Sequence, residues 1–444
     1  MLRKISLFIL IVVVLLLLTA WGINPAAYAN ISKPVQSYLS SPEQLVSTRI
    51  IVSDLDFNEY NPQAAFNSKQ NEYLVVWERY DGQNPGIYGQ RLTALGEKIG
   101  PSPFSIAVGI KQRSQPDVAY NPESDGYLVV WTHDHDGSGG NNDISGRFIP
   151  WQGADPLIQE FKITDLPDYQ TLPKVVYNST KKEFLILWLH YASDVLKDIM
   201  GARWKAGGSG FQVKDKKILD TASNLLPNYD LEFNPARNEY LVVWTKHSTL
   251  TVSDVYMTRL KWDLQILGSK ESLVTNSNDD DVEPTVASWN TSGYDGYLVA
   301  WRTVNFSGTD KIIGAYYSGN LIPYVGTVKI AESNNQEAMP HAATNFKRDQ
   351  ILVVWSQGPN ESKKTYGVWG RYVNFGESPG QAFEIAPHTP VNGMSKGVET
   401  SAASGGKSNF LAAWEHVRPS MLNDDIYAKL IYRHANYLPL TLKK

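Results

Sequence analysis

The chain of 444 residues contains no cysteine. That absence excludes disulfides, thiolate metal sites and a cysteine nucleophile together. There is no basic excess: 41 Lys and Arg stand against 45 Asp and Glu, a formal net charge of −4. A nucleic-acid partner, which ordinarily demands a basic face, is therefore not expected. Helical apolar spacing is missing beyond the amino terminus. No apolar run after the first 23 residues approaches the length that spans a bilayer. With 42% apolar and 19% charged residues, the composition is that of a packed globule.

The amino terminus reads as an export signal. Arg3 and Lys4 give a basic start, Ile5 to Ile23 an apolar stretch, and Ala27-Tyr28-Ala29 a small-x-small cleavage site. Cleavage after Ala29 would take the formal charge from −4 to −6. The apolar stretch nearly matches a membrane span, so an uncleaved anchor is the alternative, and any membrane contact is expected through this segment only. Either way the rest of the chain is expected outside the cytoplasm, secreted or at the cell envelope. Residues 1–29 are thus read as signal, 30–44 as linker, 45–433 as one folded domain and 434–444 as a tail.

What is present is repetition. An apolar run ending in tryptophan occurs seven times, at Trp77, Trp131, Trp188, Trp244, Trp301, Trp355 and Trp414, at intervals of 54 to 59 residues. A fixed period of this size marks a solenoid, a propeller or an array of modules. Each unit holds four short β signals. The first is a segment such as PDVAYN (116–121), followed by a turn rich in Asn, Pro, Asp and Gly. The second is the tryptophan run, apolar on both faces and so covered on both sides. The third resembles IYGQRL (87–92), and the fourth is short, as in FSIAV (104–108).

The seventh unit lacks a fourth strand, yet RIIVSD (49–54) stands before the first unit with the right character. A closed ring uses such a segment; an open solenoid does not. The expected fold is all-β, a seven-bladed β-propeller of four-stranded blades, closed by an N-terminal strand completing the last blade. The tryptophans are expected to pack between blades. Glycines 89, 146, 201, 314 and 370 fall mid-strand, which implies close approach by a bulky neighbour, with the tryptophan as the expected one.

The order of PDVAYN, YLVVW and IYGQRL resembles repeats of poorly characterised secreted bacterial β-propeller proteins, over nearly the whole mature chain. It is similar in layout to the propeller of the Tol system and to WD-repeat proteins, without the Gly-His and Trp-Asp pairs of the latter. The tail NYLPLTLKK (436–444) resembles the endings of exported proteins of some filamentous bacteria. The resemblance implies a propeller at a surface or envelope address, and it brings no assigned catalytic residues.

Candidate sites follow from the ring. The second position of the first strand is polar in every blade: Gln63, Asp117, Lys174, Asp230, Thr285, His341 and Thr400. Glu232 lies two residues beyond Asp230 on the same side of its strand. Innermost strands place these near the mouth of the central channel, where Asp117, Lys174, Asp230, Glu232 and His341 are the candidate binding residues. A water-filled polar channel is the competing reading. The long variable loops, within 132–142, 189–197, 245–253, 302–309, 356–366 and 415–424, share one face, where binding ordinarily resides.

The loop HDHDGSGGNND (133–143) offers Asp134, Asp136, Asn141 and Asp143 as oxygen ligands on a glycine-rich turn, as calcium prefers. It has Ser138 where a third acidic ligand belongs and no closing glutamate. Asp143 recurs as Asp198, Asp254 and Asp425, which suggests turn capping instead. The acidic run at 276–283 reads as a solvated loop. His133, His190 and His416 share one blade position, but neighbouring copies would lie about 10 Å apart, too far for one metal. No Ser-His-Asp signature, nucleotide loop or HExxH motif is present.

Three functions compete. The chain is read as a binding module at the cell envelope, recognising a protein or glycan through its variable-loop face. A carbohydrate-active enzyme (glycosidase or lyase) with channel carboxylates is the alternative, and a structural surface protein the third. An enzyme would need carboxylates about 5–9.5 Å apart across a cleft.

Overall fold

The turn after each first strand shows why the repeats fold as they do. Asn67 Oδ1 accepts hydrogen bonds from the backbone N–H groups of Lys69 and Gln70, both at 2.9 Å. Asn178 does the same for Thr180 and Lys181, and Asn121, Asn234 and Asn345 each hold the residue two positions on. The amide side chain thus replaces a backbone acceptor and starts a tight turn. That turn ends on a left-handed residue: Asn71, Asp125, Lys182, Asn238 or Asp349.

The computed structural model describes residues 45–432 except 81, 83–84, 138–139, 154–156, 165, 194–196, 208–209, 221–224, 250, 292–293, 305–308, 334, 348, 359–364, 391–399, 406–408 and 418–422. The expected signal, linker and tail lie outside the described residues, as do parts of every long loop. Seven antiparallel sheets follow one another in chain order, and no helix occurs among the described residues. The protein is a seven-bladed β-propeller. Blade 1 runs from Asn58 to Val108, blade 2 from Arg113 to Lys162, blade 3 from Tyr169 to Asp220 and blade 4 from Leu225 to Leu273. Blades 5 and 6 run from Asp280 to Glu332 and from Gln336 to Pro390. The last sheet joins Thr400–Ser404, Asn409–Val417 and Asp424–Tyr432 to Ile50–Ser53 near the amino terminus, with Ile50 opposite Ala428. The ring closes where the sequence places its spare strand.

The tryptophans fill the seams between blades. Trp131 packs with Leu74 and Ile87 of blade 1, Trp188 with Leu128 and Val130 of blade 2, and Trp244 with Leu185 and Leu187 of blade 3. All seven are at most 4% exposed. The glycines answer to a different neighbour from the one expected. A Cβ on Gly89, Gly146, Gly201, Gly314 or Gly370 would lie 2.8–3.0 Å from an aliphatic side chain, and each faces an isoleucine of its own fourth strand: Ile106, Ile163, Ile218, Ile330 and Ile385. The crowding comes from aliphatic side chains of the same blade, chiefly those of the outer strand and for Gly201 also Leu187 of the second, not from the tryptophan. Gly201→Ala is predicted to cost about 1–3 kcal/mol by overpacking against Leu187 and Ile218. Ile218→Val in the same chain should recover part of it, as read by urea unfolding; equal stability of Gly201→Ala and wild type would refute the account.

The closing strand is also tied by side chains. Glu59 Oε1, fully buried, accepts from Ser53 Oγ of the closing strand at 2.8 Å, from Trp77 Nε1 at 2.9 Å and from Arg79 Nε at 3.0 Å. Burial raises the Glu59 pKa against these three donors. Glu59→Ala would leave the Arg79 guanidinium buried without its carboxylate, and a loss of about 3–5 kcal/mol is expected. Chemical denaturation measures it, and a loss below about 1 kcal/mol would show that the pair is dispensable.

Candidate functional site

The innermost strand of each blade stands at the inner end of its sheet. In blades 1, 2, 3, 5 and 6 it carries a left-handed residue immediately before proline: Asn61, Gln115, Leu172, Glu283 and Met339. The strand register shifts there, between Ser114 and Asp117 in blade 2, for example. A bulge of this kind bends the strand and re-aims the next side chain. That side chain is the second-position residue singled out in the sequence.

The second-position side chains grip the next blade. Asp117 Oδ2 accepts the Val175 N–H at 2.7 Å, Asp230 Oδ2 the Val286 N–H at 3.0 Å, and Thr285 Oγ1 the Ala342 N–H at 3.1 Å. Glu232 Oε1 repeats the motif one step along, taking the Ser288 N–H at 3.1 Å and its hydroxyl at 2.6 Å. Lys174 carries no acceptor, and the Leu231 N–H that it would face is held instead by Asp230 Oδ1 at 2.9 Å. The polar ring is therefore partly structural.

Asp117, Lys174, Asp230, Glu232 and His341 nonetheless converge on one cavity of about 230 Å³ in the channel. Gln63 lines it as well, whereas Thr285, 2% exposed, is turned into its latch, and the Thr400 side chain lies outside the described residues. Phe346, 44% exposed in the turn after the first strand of blade 6, also lines it. The cavity thus reaches toward the short-turn face rather than the variable-loop face.

Burial dominates the electrostatics. It raises the Asp117 pKa to about 6, with Lys174 and the Val175 N–H pulling the other way. It raises Glu232 to about 7, opposed by Ser288. It lowers His341 to about 4, with the Asp230 carboxylate favouring charge and Lys174 opposing it. At neutral pH the imidazole is uncharged, and its Nδ1 is buried without a hydrogen-bond partner. The cavity combines carboxyls, an ammonium and a neutral imidazole, enough to bind a polar ligand in a fixed orientation.

The blade 2 loop is arranged otherwise. Asp134 Oδ1 caps the Gly137 N–H at 2.8 Å, and Asp143 Oδ2 pairs with Lys162 Nζ at 2.8 Å. Asp136 and Asn141 are exposed. Among the described residues no group of three His, Cys, Asp or Glu side chains could hold a metal ion. Two copies of Asp143 tie the third strand outward: Asp198 pairs with Lys217 at 2.6 Å and Asp254 accepts from Thr275 at 2.9 Å. The acidic run at 276–283 is not simply solvated, since Asp281, 3% exposed, accepts from Trp301 Nε1 and Thr303 Oγ1. His133 lies against His135 with the rings tilted by 38°, His190 meets Gln170 at 3.1 Å, and His416 stacks on Tyr427.

Sequence reasoning missed the latches. The signal was there, because acceptors occupy the second position in blades 2, 4 and 5 and the one lysine falls where Asp230 caps its own strand.

No protein-family model matches the chain, and no curated protein matches it. Among solved structures it is similar to a protein of unknown function from Dyadobacter fermentans, at 12% identity and TM-score 0.52, over 88% of this chain and 100% of that one. It is also similar to a Hadza microbial sialidase, at 10% identity and TM-score 0.47, over 68% of this chain and 63% of that one. An α-L-arabinanase of Penicillium chrysogenum, complexed with arabinobiose, aligns at 12% identity and TM-score 0.47, over 88% of this chain and 99% of that one. The first likeness shows the fold alone, and none of the three speaks to activity.

The raised carboxyl pKa values fix the sign of a pH effect. Folded Glu232 keeps its proton to about pH 7, whereas the unfolded group ionises near its ordinary value of 4.5. Between those limits the unfolded state loses its proton first, so stability falls as pH rises. Asp117 contributes in the same direction between 3.8 and about 6. Glu232→Gln, which keeps an acceptor for Ser288, should flatten the fall in melting temperature between pH 5 and pH 7.5. Parallel curves for variant and wild type would show that Glu232 titrates normally.

Proposed function

We propose that the protein is an exported binding module of the cell envelope that takes a glycan into the central channel of its propeller. One observation carries this reading. The blades repeat almost the same YLVVW strand, yet the channel position beside it changes chemistry from blade to blade while staying polar: Gln63, Asp117, Lys174, Asp230, Thr285, His341. Latching accounts for the acceptors but not for the Lys174 ammonium or the His341 imidazole, which line the cavity with Asp117 and Glu232. A sugar, with hydroxyls that both donate and accept, suits such a mixed lining. The amino-terminal export pattern and the resemblance to secreted propeller repeats support the envelope address.

A carbohydrate-active enzyme is the second reading, favoured by Asp117 near 6 and Glu232 near 7 in one cavity, values that suit a general acid at neutral pH. Binding without turnover is preferred because both carboxyls are engaged by N–H groups of the next blade.

Thermal unfolding of the full chain across a panel of envelope glycans tests both. A glycan at a hundredfold excess over its Kd should raise the melting temperature by about 3 °C for a domain of this size. The double substitution Lys174→Ala and His341→Ala should abolish the rise. No rise with any glycan would reject the reading in favour of a protein partner or a structural role. Release of new reducing ends, lost in Asp117→Asn, would establish the enzyme.

A further inference from the structure

A second cavity, of about 310 Å³, lies where blades 1, 2 and 3 meet and shares no lining residue with the channel cavity. It is on the variable-loop face: Asp134 and Asn142, which line it, are the strand ends that flank the blade 2 loop and pair with one another in register. The other groups that matter are Glu78, Gln115 and Tyr169. No Lys, Arg or His side chain lines this cavity, so no cation is there to neutralise an anion, and Glu78 and Asp134 would repel one.

Asn142 is the telling residue. It is 9% exposed, and its Oδ1 is buried without a hydrogen-bond partner. Leaving such an acceptor unpaired costs free energy that a donor in the cavity would recover once the Asn142 amide turns toward the space the residue lines. Glu78 is already engaged through one oxygen: its Oε2 accepts from Asn61 Nδ2 and the Gln115 N–H, both at 2.8 Å, and burial raises its pKa. A metal ion is a poor candidate, since among the described residues no three acidic or histidine side chains group together. Tyr169 adds a half-buried ring held edge-on by Tyr191 at 5.4 Å.

We infer that this cavity is a second site that takes a neutral sugar ring, whose hydroxyls donate to Asn142 and Asp134 and whose apolar face lies on Tyr169. The inference stands apart from the channel reading, since the two cavities share no residue. A glycan spanning both faces is not required.

Isothermal titration of the full chain with cellotriose, maltotriose and triacetylchitotriose tests it. At least one trisaccharide should bind, and Asn142→Ala and Tyr169→Ala should each weaken it about tenfold or more. The channel variant carrying Lys174→Ala and His341→Ala should bind it within about twofold of wild type. If Asn142→Ala fails to fold, Tyr169→Ala decides alone. The inference is overturned if no trisaccharide binds, if binding survives both cavity variants, or if only the channel variant loses it. Competition by tetramethylammonium that Asn142→Ala removes would show a cation site and overturn it equally.

Discussion

The innermost strand of a propeller blade has one edge with no partner strand, and its N–H groups must find acceptors elsewhere. Here the acceptors are side chains of the preceding blade. Asp117, Asp230 and Thr285 each take an N–H just past the matching residue of the next blade, and Glu232 takes another two residues on. A second tier runs along the bulges, where Glu78 holds Gln115, Gln115 holds Leu172 and Glu283 holds Met339. Every latch crosses a blade boundary, so the need for hydrogen bonds at an open edge becomes the glue of the ring.

The apolar seams supply the area that these polar contacts order. Each tryptophan sits between two blades, and its N–H distinguishes the blades from one another. Trp77, Trp301 and Trp355 donate to the buried carboxylates Glu59, Asp281 and Glu337. Trp131, Trp188 and Trp244 have no partner for the same atom. At the position of Glu59, blades 2 and 3 carry Arg113 and Gln170. Three buried carboxylates with shared donors therefore mark blades 1, 5 and 6, the first of them beside the ring closure.

The same edge constraint shapes the channel. An acceptor at the second position is drawn into a latch, so the residues left to meet a ligand most openly are those that cannot accept from the next blade. The Lys174 side chain bears no acceptor atom that could take an N–H of the next blade, and the buried Nδ1 of His341 has no hydrogen-bond partner. The two cavities differ in their charges. Carboxyls, an ammonium and an imidazole line the channel cavity, whereas the second is lined by amides, hydroxyls and the carboxyls of Glu78 and Asp134, with no cationic side chain.

How much of this was legible depended on the range of the interaction. The sequence by itself determined the blade count, the tryptophan seams, the asparagine turns and the strand that closes the ring, because each follows from a local pattern recurring at one period. It also picked out Asp117, Lys174, Asp230, Glu232 and His341, since strand alternation and position in the blade suffice to bring them to the axis. Only the tertiary structure decided what these residues do. Whether Asp117 is a latch or a ligand depends on the Val175 N–H, 58 positions away. The isoleucine that crowds Gly201 depends on the register of a fourth strand with irregular pairing. The pairing of Asp143 with Lys162, and the company of Asn142, depend on which side chains of distant segments share one wall. Periodicity specifies where a strand runs; hydrogen bonds between blades are set by contacts that no local pattern encodes.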